Sequence, residues 1–580
     1  MRTALGSLPG WRPSRRAVAV AFVAMAVGLL GGLLAWSFAS PYGTTPDESF
    51  HMTSVWCPRP GQGGCEIVAT TDTGHPVIAM PAQLLARYCF GLWPNGSAAC
   101  GQALSDDKVW STRFNTTGYP GYYYDVMHVF ASDDIDRMTL LVRVANSIAA
   151  VALALALLLL MNSAARRVYI WALAVTAVPG MAWLVGSAAP DSWSIFGVTT
   201  VWAGITGAFL ATVRWRRRSL LAVAVLGAIF ASAARSDGAV FVIIAATVPC
   251  VINWRRLRGA WDICIATAVT YVVGAAGFVS GYQVASMVAT GCGVWCPPTV
   301  NPQGALHLLV NNVVYFFEWF TDAWRYTAEV QQPQVAGFAL VGCAVVLVGA
   351  ALARGGVTKS KMLALFLAGC LVVGPPIASL QIGHALLALG QGGLQQRYVF
   401  PALIVFVGAA LTPTVREAGR YISLRTAALV WGVVTVTQAV YLHQWIRRCV
   451  TGLAGHGFNL SSGAQWWWAW GPSPMITWVI GSVGFAIASA AVVFVWWQPR
   501  ADEAVALAVA PERAVEIAPA ADRGVATEPD ETRSEPVRTL PKRAQPPLAP
   551  LAFASTAPTV PTGQIGVSQV SPPLGDNANG

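Results

Sequence analysis

Apolar runs of roughly 20 residues, each long enough to cross about 30 Å of hydrocarbon, recur from about residue 17 to about residue 497 of this chain. Backbone inside a bilayer must satisfy its own N–H and C=O groups, and a chain with repeated runs of this length does so as helices. We count about twelve, at approximately 17–39, 139–161, 168–187, 192–213, 219–234, 239–253, 262–284, 335–353, 362–383, 398–414, 426–445 and 475–497. The fifth and sixth are short and meet at Arg235-Ser236-Asp237-Gly238. They read either as tilted spans or as a re-entrant pair, which puts the count between 10 and 13. Only 11% of the residues are charged, against roughly 25% in soluble domains. The expected class is an all-α integral membrane protein. The first run follows Arg12, Arg15 and Arg16 as a signal peptide would, but it is too long for a signal core and ends without an A-x-A site, so it reads as an uncleaved anchor.

Charge sets the orientation. With the amino terminus in the cytoplasm, the inner segments hold Arg166 and Arg167, Arg214 to Arg218, Arg255 to Arg258, Lys359, Lys361, Arg416 and Arg420, opposed only by Asp262 and Glu417. Every loop then obeys the positive-inside bias, and both termini are expected in the cytoplasm. The net charge of +10 therefore reports topology, and nothing in the sequence points to a nucleic-acid partner. Cysteine placement agrees. Cys57, Cys65, Cys89 and Cys100 fall in the first outer loop, Cys292 and Cys296 in a later one, and Cys449 just beyond the eleventh run. Even sets in outer loops suggest disulfides, with three connectivities open for the first four. The alternative, zinc at Cys292-x-x-x-Cys296, lacks a nearby His or second Cys pair.

The chain divides into a cytoplasmic start (1–16), a polytopic domain (17–497) and a Pro- and Ala-rich tail (498–580) with the composition of a disordered segment. Outer loops at 40–138, 285–334 and 446–474 hold most of the extramembrane material. In the first, Ile78 to Trp93 and Tyr119 to Phe130 are expected as juxtamembrane helices at the interface. The third contains Trp466-Trp467-Trp468-Ala469-Trp470, readable as a membrane anchor or as a sugar-stacking platform.

Chemistry is sought where charge meets the membrane. Asp47 and Glu48 follow Pro46, which can open a helix, so they read as helix-capping acids or as a catalytic pair, with His51 on the same face. Arg143 lies about five residues inside the second run; it either snorkels or pairs with a loop acid or a lipid phosphate. Arg235 and Asp237 share a tight turn and can pair with each other, while Asp191 after Pro190 reads as a helix cap. Arg397 and Tyr398, in Gln395-Gln396-Arg397-Tyr398-Val399-Phe400-Pro401, stand at the outer mouth of the tenth run, where a guanidinium matches phosphate geometry.

Pro46-Asp47-Glu48 with His51, the intramembrane Arg143, and Arg397-Tyr398 followed by Pro401 resemble the pattern of an uncharacterised bacterial polytopic family, a domain of unknown function close to the type C (GT-C) glycosyltransferases. The resemblance covers about residues 17–445. It implies a GT-C-like helical fold and transfer of a sugar from a polyprenyl-phosphate donor to an envelope glycan or lipid acceptor on the outer face. Asp47 would then be the base, Glu48 its support or a metal ligand, and Arg397 the holder of the donor phosphate. His51, Arg143, Arg235, Asp237 and Tyr398 would complete the substrate-binding set. The candidate cofactor is a divalent cation, magnesium or manganese. One departure bears on acceptor preference: where the family pattern has a Pro-Pro-Leu-Tyr-Tyr-like segment, this chain has Gly118-Tyr119-Pro120-Gly121-Tyr122-Tyr123-Tyr124. Two other readings stay open, a transporter or flippase of lipid-linked precursors and a non-catalytic envelope-assembly protein.

Overall fold

The computed structural model describes residues 14–281, 342, 348–349, 357–378, 396–412 and 424–491, apart from short breaks at 63–64, 73, 86–89, 91–94, 104–106, 117, 177, 454 and 456. All of these belong to one unit, Met1–Ile517. The expected span at 335–353, the outer loop at 285–334 and the tail from 498 lie outside the described residues or nearly so.

Among the described residues the helices of the bundle are α1 (Arg15–Phe38), α4 (Ile135–Leu160), α5 (Ser163–Thr176), α6 (Pro179–Val185), α7 (Asp191–Leu210), α8 (Arg214–Ala234), α9 (Ser236–Ile252), α10 (Trp261–Ser280), α11 (Lys359–Ala378), α12 (Phe400–Leu411), α13 (Leu424–Thr451) and α14 (Pro474–Ala491). Two short helices, α2 (Glu48–Trp56) and α3 (Tyr122–Met127), belong to the first loop. Among the described residues six helices are long and apolar enough to cross a membrane, or seven if α5 and α6 form one broken span. Those two meet at 103°. Pro179 opens α6 and has no N–H to continue α5, which accounts for the break. Of the two runs expected to be short, the fifth lies in α8, which at 21 residues is one of the six, whereas the sixth, α9, is apolar but brief, as is the Arg397–Leu411 segment.

Helix ends follow local chemistry. Ser14 caps α1 by accepting from the Ala17 amide at 3.1 Å, and Asp134 caps α4 by accepting from the Arg137 amide at 2.9 Å. Between helices, small residues permit close approach. A Cβ on Gly28 of α1 would lie 2.5 Å from the carbonyl oxygen of Gly484 in α14, and one on Gly197 of α7 would lie 2.6 Å from that of Gly227 in α8. Lipid tails are as apolar as leucine, so such backbone-to-backbone packing is what drives helices together in a bilayer. α7 sits at the centre, buried along its whole apolar window, and its first residue, Asp191, arrives at the same end of the bundle as the first loop.

That loop departs from the all-helical expectation. β1 (Ile67–Thr70), β2 (Pro76–Pro81) and β3 (Lys108–Ser111) form an antiparallel sheet in sequence order, with Ile67 opposite Ile78 and Ala79 opposite Trp110. The expected helix from Ile78 is thus a strand at its start: Pro76 and Pro81 bound a run too short for a helix, and a turn with Gly74 at φ 80° returns it to β1. The Tyr119 to Phe130 expectation fares better, since α3 and the 3-10 turn His128–Phe130 are helical. Cys57 and Cys65 form a disulfide and Cys100 is disulfide-bonded too, while Cys89, Cys292 and Cys296 lie outside the described residues. Cys449 is inside α13 and buried, not beyond it. Two of the clustered tryptophans pack within the protein: Trp466 and Trp468 are buried, and the Trp468 indole donates to the Phe38 carbonyl at 2.9 Å.

Candidate functional site

The loop end of the bundle gathers two adjoining polar assemblies. The first is a clamp. Glu48 opens α2, Arg143 projects from α4, and both are buried. The guanidinium forks onto the carboxylate, Nε to Oε1 at 2.9 Å and Nη2 to Oε2 at 2.8 Å. Its other N–H groups donate to the carbonyls of Ser37, Ser40 and Pro41, at 2.9, 2.6 and 2.9 Å. Glu48 accepts in addition from the amides of Gly43 and Thr45. The clamp therefore joins the end of α1, the linker after it, and the start of α2 to α4. All five guanidinium N–H groups are used. Glu48, expected beside Asp47 in catalysis, and Arg143, expected on substrate, face each other and the backbone.

Asp47 behaves differently from its neighbour. It occupies the N-cap of α2 yet makes no capping hydrogen bond, and at φ 58° it is the one non-glycine residue with positive φ among the described residues. Left-handed backbone at an aspartate is tolerated but uncommon, and here it turns the side chain out of the helix. The carboxylate accepts from Arg397 Nη2 at 2.7 Å, while Arg397 Nη1 donates to the Pro46 carbonyl at 3.1 Å. Arg397 is 3% exposed and Asp47 is 44% exposed, so the pair has one buried and one open member. Burial raises the Asp47 carboxyl, but Arg397 beside it, with His51 and Arg113, holds it below the ordinary carboxylate value. Arg113 is exposed, in the loop after β3, and the sequence did not single it out.

The Arg397 side chain is set by a 3-10 turn, Gln396–Val399, just ahead of Pro401 in the first turn of α12. Its neighbour Tyr398 lies between the two guanidiniums: Arg397 Cζ stands 5.0 Å from the ring centroid and Arg235 Cζ 4.6 Å. Arg235 also lies over Tyr119 at 5.5 Å and forks onto Asp237, with Nε and Nη2 at 2.8 and 2.9 Å from its oxygens. Asp191, expected as a helix cap, caps nothing. It is buried, with Oδ1 at 3.5 Å from Arg235 Nη1 and 3.7 Å from Arg397 Nε. His51 completes the group, its Nδ1 at 2.9 Å from the Tyr124 hydroxyl and its ring edge-on to Tyr119.

The structure thus brings together Asp47, His51, Arg235, Asp237, Arg397 and Tyr398 and adds Asp191, Tyr119 and Tyr124. Among the described residues no group of three or more His, Cys, Asp or Glu side chains could hold a metal ion. An apolar cavity of about 190 Å³ lies deeper in the bundle, between turns of α7 (Ile195, Thr199) and α12 (Ile404) and the facing helices α1 and α5. It contains none of the charged residues.

Burial pushes the His51 imidazole down to about 3, against the pull of the Asp47 and Asp191 carboxylates. A group neutral when folded, with an ordinary value near 6.5 when unfolded, contributes stability above pH 6.5 that is lost as pH falls toward 3. Wild type should therefore lose more thermal stability than His51→Gln between pH 7 and about pH 4.5. Parallel losses, followed by intrinsic fluorescence in detergent, would show that His51 does not stay neutral.

A family model described as "Predicted membrane protein (DUF2142)" matches residues 30–407, a stretch that includes every residue of both assemblies. No curated protein matches the chain.

Proposed function

The chain belongs to the DUF2142 family of predicted membrane proteins, and from that premise we propose that it is a GT-C-like membrane glycosyltransferase, moving a sugar from a polyprenyl-phosphate donor to an envelope acceptor at the outer face. The observation that carries this reading is the Asp47–Arg397 pair, an open carboxylate on a buried guanidinium. Transfer from a glycosyl phosphate needs little else: a base for the acceptor hydroxyl and fixed positive charge where the phosphate leaves. In this reading Asp47 accepts the proton of the acceptor hydroxyl, the hydroxyl oxygen bonds the anomeric carbon, and the carbon–oxygen bond to phosphate breaks. As Asp47 becomes neutral the leaving phosphate gains a charge, and Arg397 exchanges one anion for the other.

The apolar cavity on deeper turns of α7 and α12 suits a prenyl tail whose phosphate reaches Arg397. Charge gathered at one end of the bundle, at the head of α7 rather than midway along it, favours transfer over transport, which places its ionisable groups near the bilayer midplane. For Arg397→Ala we expect the apparent KM for a polyprenyl-phosphate sugar to rise about tenfold or more in reconstituted membranes. Arg397→Lys should recover little, because an ammonium lacks the fork that reaches Asp47 and the Pro46 carbonyl together. Unchanged donor use in the alanine variant would remove the phosphate role.

A further inference from the structure

In the buried cluster, carboxylates outnumber guanidiniums. Arg235 has its own partner in Asp237 and Arg397 has its own in Asp47, both through short hydrogen bonds. Asp191 is the surplus acid. It stands within ion-pair distance of both arginines but hydrogen-bonds to neither, and its Oδ2 has no partner. Around it Arg235 Nη1, Arg397 Nε and His51 Nε2 are buried and unpartnered as well. A buried polar atom without a partner is costly, the more so when charged, so four in one place mark a built site rather than a packing accident.

The chemistry of the unpaired set selects its ligand. Arg235 Nη1 and Arg397 Nε can only donate, and the Asp191 carboxylate can only accept. A phosphate oxygen would satisfy the two arginines but leave Asp191 unpaired and add a like charge beside it. A hydroxyl both accepts and donates, so it satisfies the guanidinium N–H groups and the carboxylate at once. The Tyr119 and Tyr398 rings, against which the guanidiniums lie, give the same site flat apolar walls.

We propose that Asp191, with Arg235, Arg397 and His51 around it, forms a subsite for a sugar hydroxyl, and that this subsite makes the enzyme prefer a glycosylated ligand over bare polyprenyl phosphate. The inference rests on the glycosyltransferase reading and adds to it: Asp47 acts on the acceptor, while Asp191 reads a ring hydroxyl. Asp191 is a binding residue in this scheme and takes no proton in the reaction.

The test uses the full-length chain in lipid nanodiscs with a synthetic polyprenyl phosphate, its hexosyl and pentosyl phosphodiesters, singly deoxygenated versions of each, and the corresponding methyl glycosides. We expect wild type to bind at least one phosphodiester more tightly than polyprenyl phosphate. Removing one hydroxyl from that sugar should weaken binding about 10- to 100-fold, the range for a charge-assisted hydrogen bond. Asp191→Asn should lose the same preference while retaining polyprenyl phosphate. The deoxygenated ligands keep the test decisive should that variant fold poorly. A dependence on Asp191 seen with the methyl glycosides alone would assign the hydroxyl to the acceptor and refute the lipid-linked donor while leaving the subsite in place. Equal binding of glycosylated and bare polyprenyl phosphate by wild type together with methyl glycosides that are indifferent to Asp191, or equal weakening of every ligand by Asp191→Asn, would overturn the subsite.

Discussion

Membranes carrying Asp47→Asn should lose glycan transfer by about 100-fold or more, the lower end of what a general base contributes, while the protein is made, inserted and melted as in wild type. The substitution is isosteric, and asparagine accepts the left-handed backbone that residue 47 adopts at φ 58° at least as readily as aspartate. An amide oxygen can still accept from Arg397 Nη2, so the contact that holds the side chain is weakened but not abolished. What disappears is the ability to take a proton. Nothing in the Glu48–Arg143 clamp changes, because Glu48 makes its contacts with Arg143, Gly43 and Thr45 rather than with its neighbour. Normal envelope glycan in the asparagine variant would remove the catalytic role. Loss of lipid-linked export with transfer intact would point to the transporter instead.

The helices were legible because apolar runs of spanning length have few other folds available, and the runs at 17–39, 139–161, 192–213 and 262–284 coincide closely with α1, α4, α7 and α10. The first loop was less so. Ile78 begins an apolar stretch that periodicity cannot separate from a helix, and the two prolines that make β2 a short strand were the available signal. At the site, single charges beside the membrane picked out Asp47, Arg143, Arg235 and Arg397, but only the partner of Arg235, Asp237 two residues on, was readable. Asp47 and Arg397 are 350 positions apart, and Arg143 meets Glu48 across 95. Adjacent acids at a helix start point about 100° apart, so one residue decides which faces the clamp and which faces the opening. Asp191 was passed over because an acid after a proline at a helix start is ordinarily a cap. Its isolation between two guanidiniums becomes visible only when α7 takes the centre of the bundle.

Arg143→Ala should destabilise the protein by about 3–5 kcal/mol, the cost of stranding one member of a buried ion pair, and Glu48→Ala should cost about the same. Each single change leaves a charge in a place that is 1% exposed or less. Arg143→Ala also frees the carbonyls of Ser37, Ser40 and Pro41, which no longer have donors at the turn from α1 into the loop. Lysine is no substitute: one ammonium has three donors where the site uses five in a planar fork. The double change Arg143→Met with Glu48→Gln removes both charges together, so it should be less destabilised than the sum of the single changes Arg143→Met and Glu48→Gln. Thermal unfolding in detergent reads all of these, and additive losses would show that the two side chains do not act as a pair. Activity separates the clamp from the site it supports. Asp47 precedes Glu48 in sequence, so releasing Glu48 from α4 lets the start of α2 move and carries the carboxylate away from Arg397. Transfer should therefore fall in the Arg143→Ala protein together with its stability, whereas Asp47→Asn loses transfer alone.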